Sequence, residues 1–183
     1  MRRASPRSSQ GLTTIAVVGN INAADEVSFA ACRKAGIETS IDINWDPRWT
    51  SGSPPRGVLR RIDAVRGILP LTTWVHGNER ELLRFCGSRT LDQAVHSLVE
   101  AGAGAVIVHR GALGCAAFAG GAWTNHQPLR VRRIVSDTGS GDVFTAAFLV
   151  HGGLPLDERL RQAGRAAADH LRGTPTYIHA MGG

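Results

Sequence analysis

The stretch from Thr90 to His109 limits the fold of this chain more than any other. Thr90 and Gln93 form a capping-box pair, and Leu91, Ala94, Val95, Leu98 and Val99 line one helix face. Gly102 and Gly104 end that helix, and "AVIVH" follows as a continuous buried strand. A helix that runs straight into a buried strand has to pack on a sheet that helices cover.

The same alternation holds along most of the chain. "TTIAVVGN" (Thr13 to Asn20) reads as a short strand ending at Gly19, and Asp25 to Lys34 as a helix that stops at Gly36. "IETSID" alternates like a strand and runs into "INWDPRWTSGSPPRG", a polar loop punctuated by prolines and glycines. Val58, Leu59, Ile62 and Val65 recur at helical spacing, "LTTWV" reads as a strand, and Asn78 to Cys86 as a short helix closed by Gly87. Beyond the central unit, "GCAAFAGGAWTNH" reads as a hairpin about Gly120-Gly121, and "VRRIV" as a strand. Two helices finish the chain, the second striped with Leu156, Leu160, Ala163, Ala167 and Leu171. The pattern predicts an α/β fold with a doubly wound, mostly parallel sheet.

Composition narrows the class. A chain of 183 residues with 43% apolar and 20% charged residues suits one globular domain. We expect a disordered basic tail over residues 1–12 and a single domain over 13–183. "MRRASPRSSQ" lacks the apolar segment of a secretion signal, and no apolar run is long enough to span a membrane. The net charge of +6 is spread along the chain, and aromatics make up only 5%, so no nucleic-acid stripe is expected. Cys32, Cys86 and Cys115 lie far apart without a CxxC pair, which excludes a disulfide framework or zinc site and fits a cytoplasmic setting.

The chemistry concentrates in "SDTGSGDVFTAAFLV" (Ser136 to Val150). Glycines at 139 and 141 allow consecutive N–H groups to turn toward one point. The helix that starts near Gly141 adds its positive end, so an anion is favoured there, with Asp142 in the first turn. An acid in that place also simply complements the helix dipole. A plain cap, however, needs one polar residue rather than Gly-Ser-Gly. A P-loop is excluded, because Lys34 is the only lysine and falls in a predicted helix; no GxGxxG follows the first strand either.

"DTGSGDVFTAAFL" resembles the signature of the ribokinase-like sugar kinases, the phosphofructokinase-B family. "GNERELLRFCG" is similar to that family's Asn-x-x-Glu motif, "VIVHRGALGC" to its strand and Gly-x-x-Gly turn, and "TSIDINWDP" to its Asp-x-Asn segment. The resemblance implies that Asp142 is the catalytic base and that Gly139, Ser140 and Gly141 form an anion hole for the transferred phosphoryl group. It implies that Asn78 and Glu81 organise Mg2+ and its water, with Glu81 meeting the metal through water, and that Gly111 and Gly114 lie close to the nucleotide. Asn78 taken alone reads as a helix cap. Ser136 stands where the family pattern has its first aspartate, Gly77 where proline is usual, and His109 and Arg110 before Gly111 replace commoner residues.

The family's Gly-Gly-x-Asn sugar-binding region and β-lid have no counterpart before "IDINWDP". The expected fold is therefore ribokinase-like and truncated at the N-terminal side. The function implied is ATP- and Mg2+-dependent phosphorylation of a small carbohydrate, impaired by the missing acceptor half. The alternative is a catalytically inactive remnant that serves as a nucleotide-binding or interaction module. Apolar surface left open by the missing part predicts self-association.

Overall fold

The computed structural model describes residues 14–17, 23–44 and 56–174. The tail expected over residues 1–12 and most of the loop expected after Asn44 lie outside these described residues. The elements are β1 (Thr14–Val17), α1 (Ala23–Lys34), β2 (Glu38–Asp42), α2 (Arg56–Ile68), β3 (Trp74–Asn78), α3 (Glu79–Cys86) and α4 (Leu91–Glu100). They continue with β4 (Ala105–His109), β5 (Cys115–Ala119), β6 (Ala122–His126), α5 (Ser140–Val150) and α6 (Leu156–Leu171). The six strands form one sheet in sequence order. β1 to β4 pair in parallel, and β4, β5 and β6 pair antiparallel.

Strand periodicity divides the sheet into two chemically different faces. Ile41, Val75, Val106, Val108 and Phe118 point to one side and pack against Phe29, Ile62, Leu82, Val95 and Leu98 of α1 to α4. Right-handed crossovers between parallel strands taken in sequence order put those helices on a single face. Ile107, Cys115 and Ala117 point to the other side, where Phe144, Ala147 and Phe148 of α5 and Leu160 and Ala163 of α6 cover them. The result is the α/β layering expected from the alternation, a mostly parallel sheet with helices on both faces.

One buried charge ties α6 to the sheet. Arg159, only 3% exposed, donates through Nε to the Phe148 carbonyl at 3.2 Å and pairs with Glu38 at 3.6 Å. Its guanidinium stacks on Trp74 and Phe148, with ring centres 4.5 and 4.1 Å away. Glu38 in turn accepts from the Trp74 indole at 2.9 Å. An arginine fits here because its flat cation covers aromatic faces that an ammonium group could not.

Local details differ from expectation in three places. "VRRIV" is not a strand. Residues 131–135 run irregularly, because their backbone is held by the end of α6: Val135 N–H donates to the Leu171 carbonyl at 2.8 Å, and Arg172 donates to the Arg130 carbonyl at 2.9 Å. β3 begins at Trp74 rather than Leu71, since Leu69–Leu71 forms a 3-10 turn around Pro70. At α4, Thr90 accepts from Gln93 N–H at 3.3 Å as a one-sided cap, and the reciprocal box forms at α3 instead. The hairpin matches its reading, with Gly120 and Gly121 at φ 58° and 81°.

Candidate active site

The sites proposed from sequence collect at the carboxyl ends of the parallel strands, the usual place for a ligand on an open α/β sheet. Asp42 ends β2, Asn78 ends β3 and His109 ends β4. α5 starts beside them: a Cβ on Gly141 would stand 3.6 Å from His109 Nδ1.

The glycine turn is built to leave amides open. Gly139 occupies the cap position of α5 in the left-handed conformation (φ 82°), and no side chain caps the helix. The first intrahelical bond runs from Val143 N–H to the Gly139 carbonyl at 3.0 Å. Ser140 N–H is engaged by the Asp137 carbonyl at 3.2 Å, so of the expected anion-hole amides Ser140's is taken by the turn itself. The N–H groups of Gly139, Gly141 and Asp142 have no hydrogen-bond partner among the described residues. On the far side, His170 Nε2 donates to the Thr138 carbonyl at 2.9 Å and holds the turn against α6. Asp142 is exposed in the first turn of α5.

Asn78 and Glu81 serve α3 as its cap. Asn78 Oδ1 accepts from Glu81 N–H at 3.0 Å, and the Glu81 carboxylate accepts from Asn78 N–H at 2.8 Å. The three-residue spacing thus produces a capping box, with Asn78 just outside the helix rather than on its face. Glu81 still lies close enough to Asp42 to act on its charge. Among the described residues no three His, Cys, Asp or Glu side chains stand together as a metal cage. Mg2+, which keeps waters and takes one or two carboxylates plus phosphate oxygens, fits such a sparse donor set.

The turn after β4 has two different glycines. Gly111 (φ 55°) is exposed, with nothing within 4 Å of where a Cβ would lie. Gly114 (φ 87°) is pressed against the chain after β6, where a Cβ would stand 2.1 Å from the His126 carbonyl oxygen. Gly114 is therefore required by backbone packing, whereas only Gly111 faces open space.

Beneath the turn lies a buried polar chain that motif reading missed. Thr145 Oγ1 donates to Asp42 Oδ2 at 3.2 Å and lies 3.4 Å from His76 Nδ1. His76 stacks beside His109 at 5.8 Å between ring centres, and the Nε2 atoms of both histidines are buried without a partner. Burial, then the charges of Glu81 and Asp142, raise the Asp42 carboxyl to about 6. Burial also lowers His109 to about 4, and it holds His76 well below the ordinary histidine range, helped by His109 and Arg159. The signal for this chain was periodicity: Ser40, Asp42 and His76 alternate with Ile41 and Val75, so they share the sheet face under α5.

These shifts predict how stability varies with pH. Asp42 is raised above its ordinary 3.8, so its contribution is full below that value and lost as pH rises through about 6. His109 and His76 are lowered, so theirs is full above the ordinary 6.5 and lost as pH falls, through about 4 for His109. Asp42→Asn keeps an acceptor for Thr145 and removes the buried charge. It should stabilise the protein at pH 8 by up to about 3 kcal/mol, with a gain that fades toward pH 4. Thermal melts of both proteins across that range check this; an unchanged difference at both ends would count against a costly Asp42 charge.

The profile of the pfkB family carbohydrate kinases matches residues 12–170, and this chain belongs to that family. A cytidine kinase of Thermococcus kodakarensis is 32% identical over 117 residues, covering 62% of this chain and 42% of the relative. Among solved structures, Arabidopsis thaliana ribokinase complexed with ribose and ATP aligns with a TM-score of 0.70 at 25% identity, over 87% of this chain and 50% of that one. Aminoimidazole riboside kinase from Salmonella enterica, complexed with its riboside and an ATP analog, aligns with a TM-score of 0.71 at 19% identity, over 84% and 52%. A Ribokinase II-type protein from E. coli in complex with ATP and Mg2+ reaches 0.74 at 22% identity, over 92% and 54%. The chain spans about half the length of these relatives. Among the described residues no helix is long and apolar enough to cross a membrane.

Proposed function

We propose that residues 13–183 form one domain that binds ATP and transfers its γ-phosphate to a hydroxyl of a small carbohydrate or nucleoside. The observation that carries this reading is the start of α5. An uncapped helix terminus with free amides at Gly139, Gly141 and Asp142 stands beside an exposed carboxylate. In the transfer, the acceptor oxygen bonds to the γ-phosphorus as the bond to the β–γ bridging oxygen breaks. Asp142 takes the hydroxyl proton, and ADP leaves. Negative charge on the moving phosphoryl group is met by the free amides and the positive end of α5.

Glu81, through water, and the neighbouring Asp42 are the residues that would hold Mg2+. The metal would supply neutralisation of phosphate charge. Asn78, by capping α3, sets where the Glu81 carboxylate stands. Gly111 leaves its face of the turn open for the nucleotide, with Gly114 holding the turn's other end. The family membership and the ATP- and Mg2+-bound E. coli relative support this assignment.

A second reading, an inactive nucleotide-binding or interaction module, is favoured by one specific observation. Asn78, Glu81 and Gly114 each have a complete structural reason to be present without any nucleotide. Exposed Ile134 and Val135, at 60% and 63%, would serve self-association in either case.

A thermal melt with and without saturating Mg-ATP tests whether the cradle binds nucleotide. Ligand at about a hundred times its dissociation constant adds roughly 2.7 kcal/mol, which is on the order of 5–10 °C for a domain of this size. A shift needing both metal and nucleotide is the expected result. A cooperative melt that Mg-ATP leaves unmoved would overturn the nucleotide reading.

A further inference from the structure

We propose that a second anion site lies where residues 130–135 meet the end of α6, in an open cavity of about 580 Å3 lined by Arg130, Arg132, Arg133, Val135 and Arg172. Its ligand is a small molecule carrying two or more phosphate groups. The inference does not depend on the kinase reading, because none of these side chains belongs to the proposed catalytic set.

The cavity wall is cationic, and of its four arginines only Arg172 meets an acid, Asp169, among the described residues. Four of the five described lining residues are arginines, and none of the five is a carboxylate. Other arginines also meet acids: Arg159 pairs with Glu38, and Arg161 with Glu158. Arg132 and Arg133 have no carboxylate partner among the described residues, and both are exposed. Like charges gathered around one hollow repel, and a multiply charged anion reverses that term.

One wall is already fixed in place. Arg172 donates to Asp169 Oδ1 at 2.8 Å and to the Arg130 carbonyl at 2.9 Å. Those bonds hold the irregular segment of residues 130–135 against the end of α6, together with the bond from Val135 N–H to the Leu171 carbonyl. A guanidinium is a planar fork that matches phosphate oxygens in pairs. The volume lies in the range of small-molecule pockets rather than of extended polymer grooves. Val135, 63% exposed, gives the hollow an apolar patch for the organic part of such a ligand.

The test is titration calorimetry of the full chain with sodium pyrophosphate in metal-free buffer. Arg132→Gln/Arg133→Gln is compared with Arg89→Gln/Arg165→Gln, which removes the same charge from exposed positions elsewhere. We expect the first pair to weaken pyrophosphate about tenfold or more and the second by less than about twofold. Equal losses in the two pairs, or no binding by the parent chain, would overturn the site. So would tighter binding of a single-stranded oligonucleotide with a steeper salt dependence, which points to nucleic acid instead. If the Gln pair fails to melt cooperatively, Arg132→Lys/Arg133→Lys keeps the charge and removes the fork, and an intermediate loss is expected. The Mg-ATP melt shift of the Gln pair should match the parent's, so failure of the kinase reading and failure of this site are told apart.

Discussion

Asp142→Asn should abolish phosphoryl transfer while leaving Mg-ATP binding within a few-fold. The carboxylate stands exposed in the first turn of α5, one residue past Gly141, and its charge is felt at Asp42. Asparagine has the same shape and the same backbone N–H, so the free amides keep their positions. What it lacks is the capacity to accept a proton at neutral pH. General-base catalysis of this kind contributes about 10²–10⁴-fold, so turnover should fall by that factor. Loss of the acid at the helix start costs only about 0.3–1 kcal/mol of stability. ADP release measured with a panel of pentoses and nucleosides checks the first effect, and the Mg-ATP melt shift checks the second. Full turnover in the variant would remove Asp142 from the base role; loss of the melt shift would mean that it acts in binding.

Gly114→Ala should be the most damaging substitution in the turn after β4, although that turn reads in sequence as a nucleotide contact. The added methyl would sit 2.1 Å from the His126 carbonyl oxygen and 2.8 Å from Pro128 N, both backbone atoms, at a φ of 87°. Neither can yield without pulling the chain away from β5. Backbone strain and overpacking each cost about 1–3 kcal/mol, so a loss of roughly 3 kcal/mol or more is expected against a total stability of about 5–15. Gly111→Ala meets no atom within 4 Å and bears only the penalty of its φ of 55°, about 1 kcal/mol. Denaturant melts of the two variants give the comparison. Equal losses would mean that the turn relaxes and that Gly114 is not pinned by the crossing chain.

The local elements were legible because they depend on near neighbours in the chain. Apolar spacing placed α4 and α6, Gly120-Gly121 placed the hairpin, and small residues before Asp142 placed the start of α5. "VRRIV" was misread for the opposite reason. Its residues favour a strand, but a strand needs a neighbour, and here the backbone bonds to the end of α6 instead. The Thr90–Gln93 and Asn78–Glu81 pairs have the same spacing. Only at α3 does the acid turn back to close the box, while Gln93 leaves Thr90 as a single cap.

Sequence by itself determined the α/β alternation, the glycine turn with its acid, and the family to which these motifs belong. All three rest on residue type and short spacing. Tertiary structure alone decided which amides in that turn stay free, that Gly114 is pressed against His126, and that Asp42, Thr145 and His76 meet under α5. It also brought Arg130, Arg132 and Arg133 around one hollow with Arg172. Asp42 and Thr145 lie on different elements far apart in the chain, and no local pattern records their meeting. Only the order of strands, and the choice of face that each helix covers, brings their chemistry to one point.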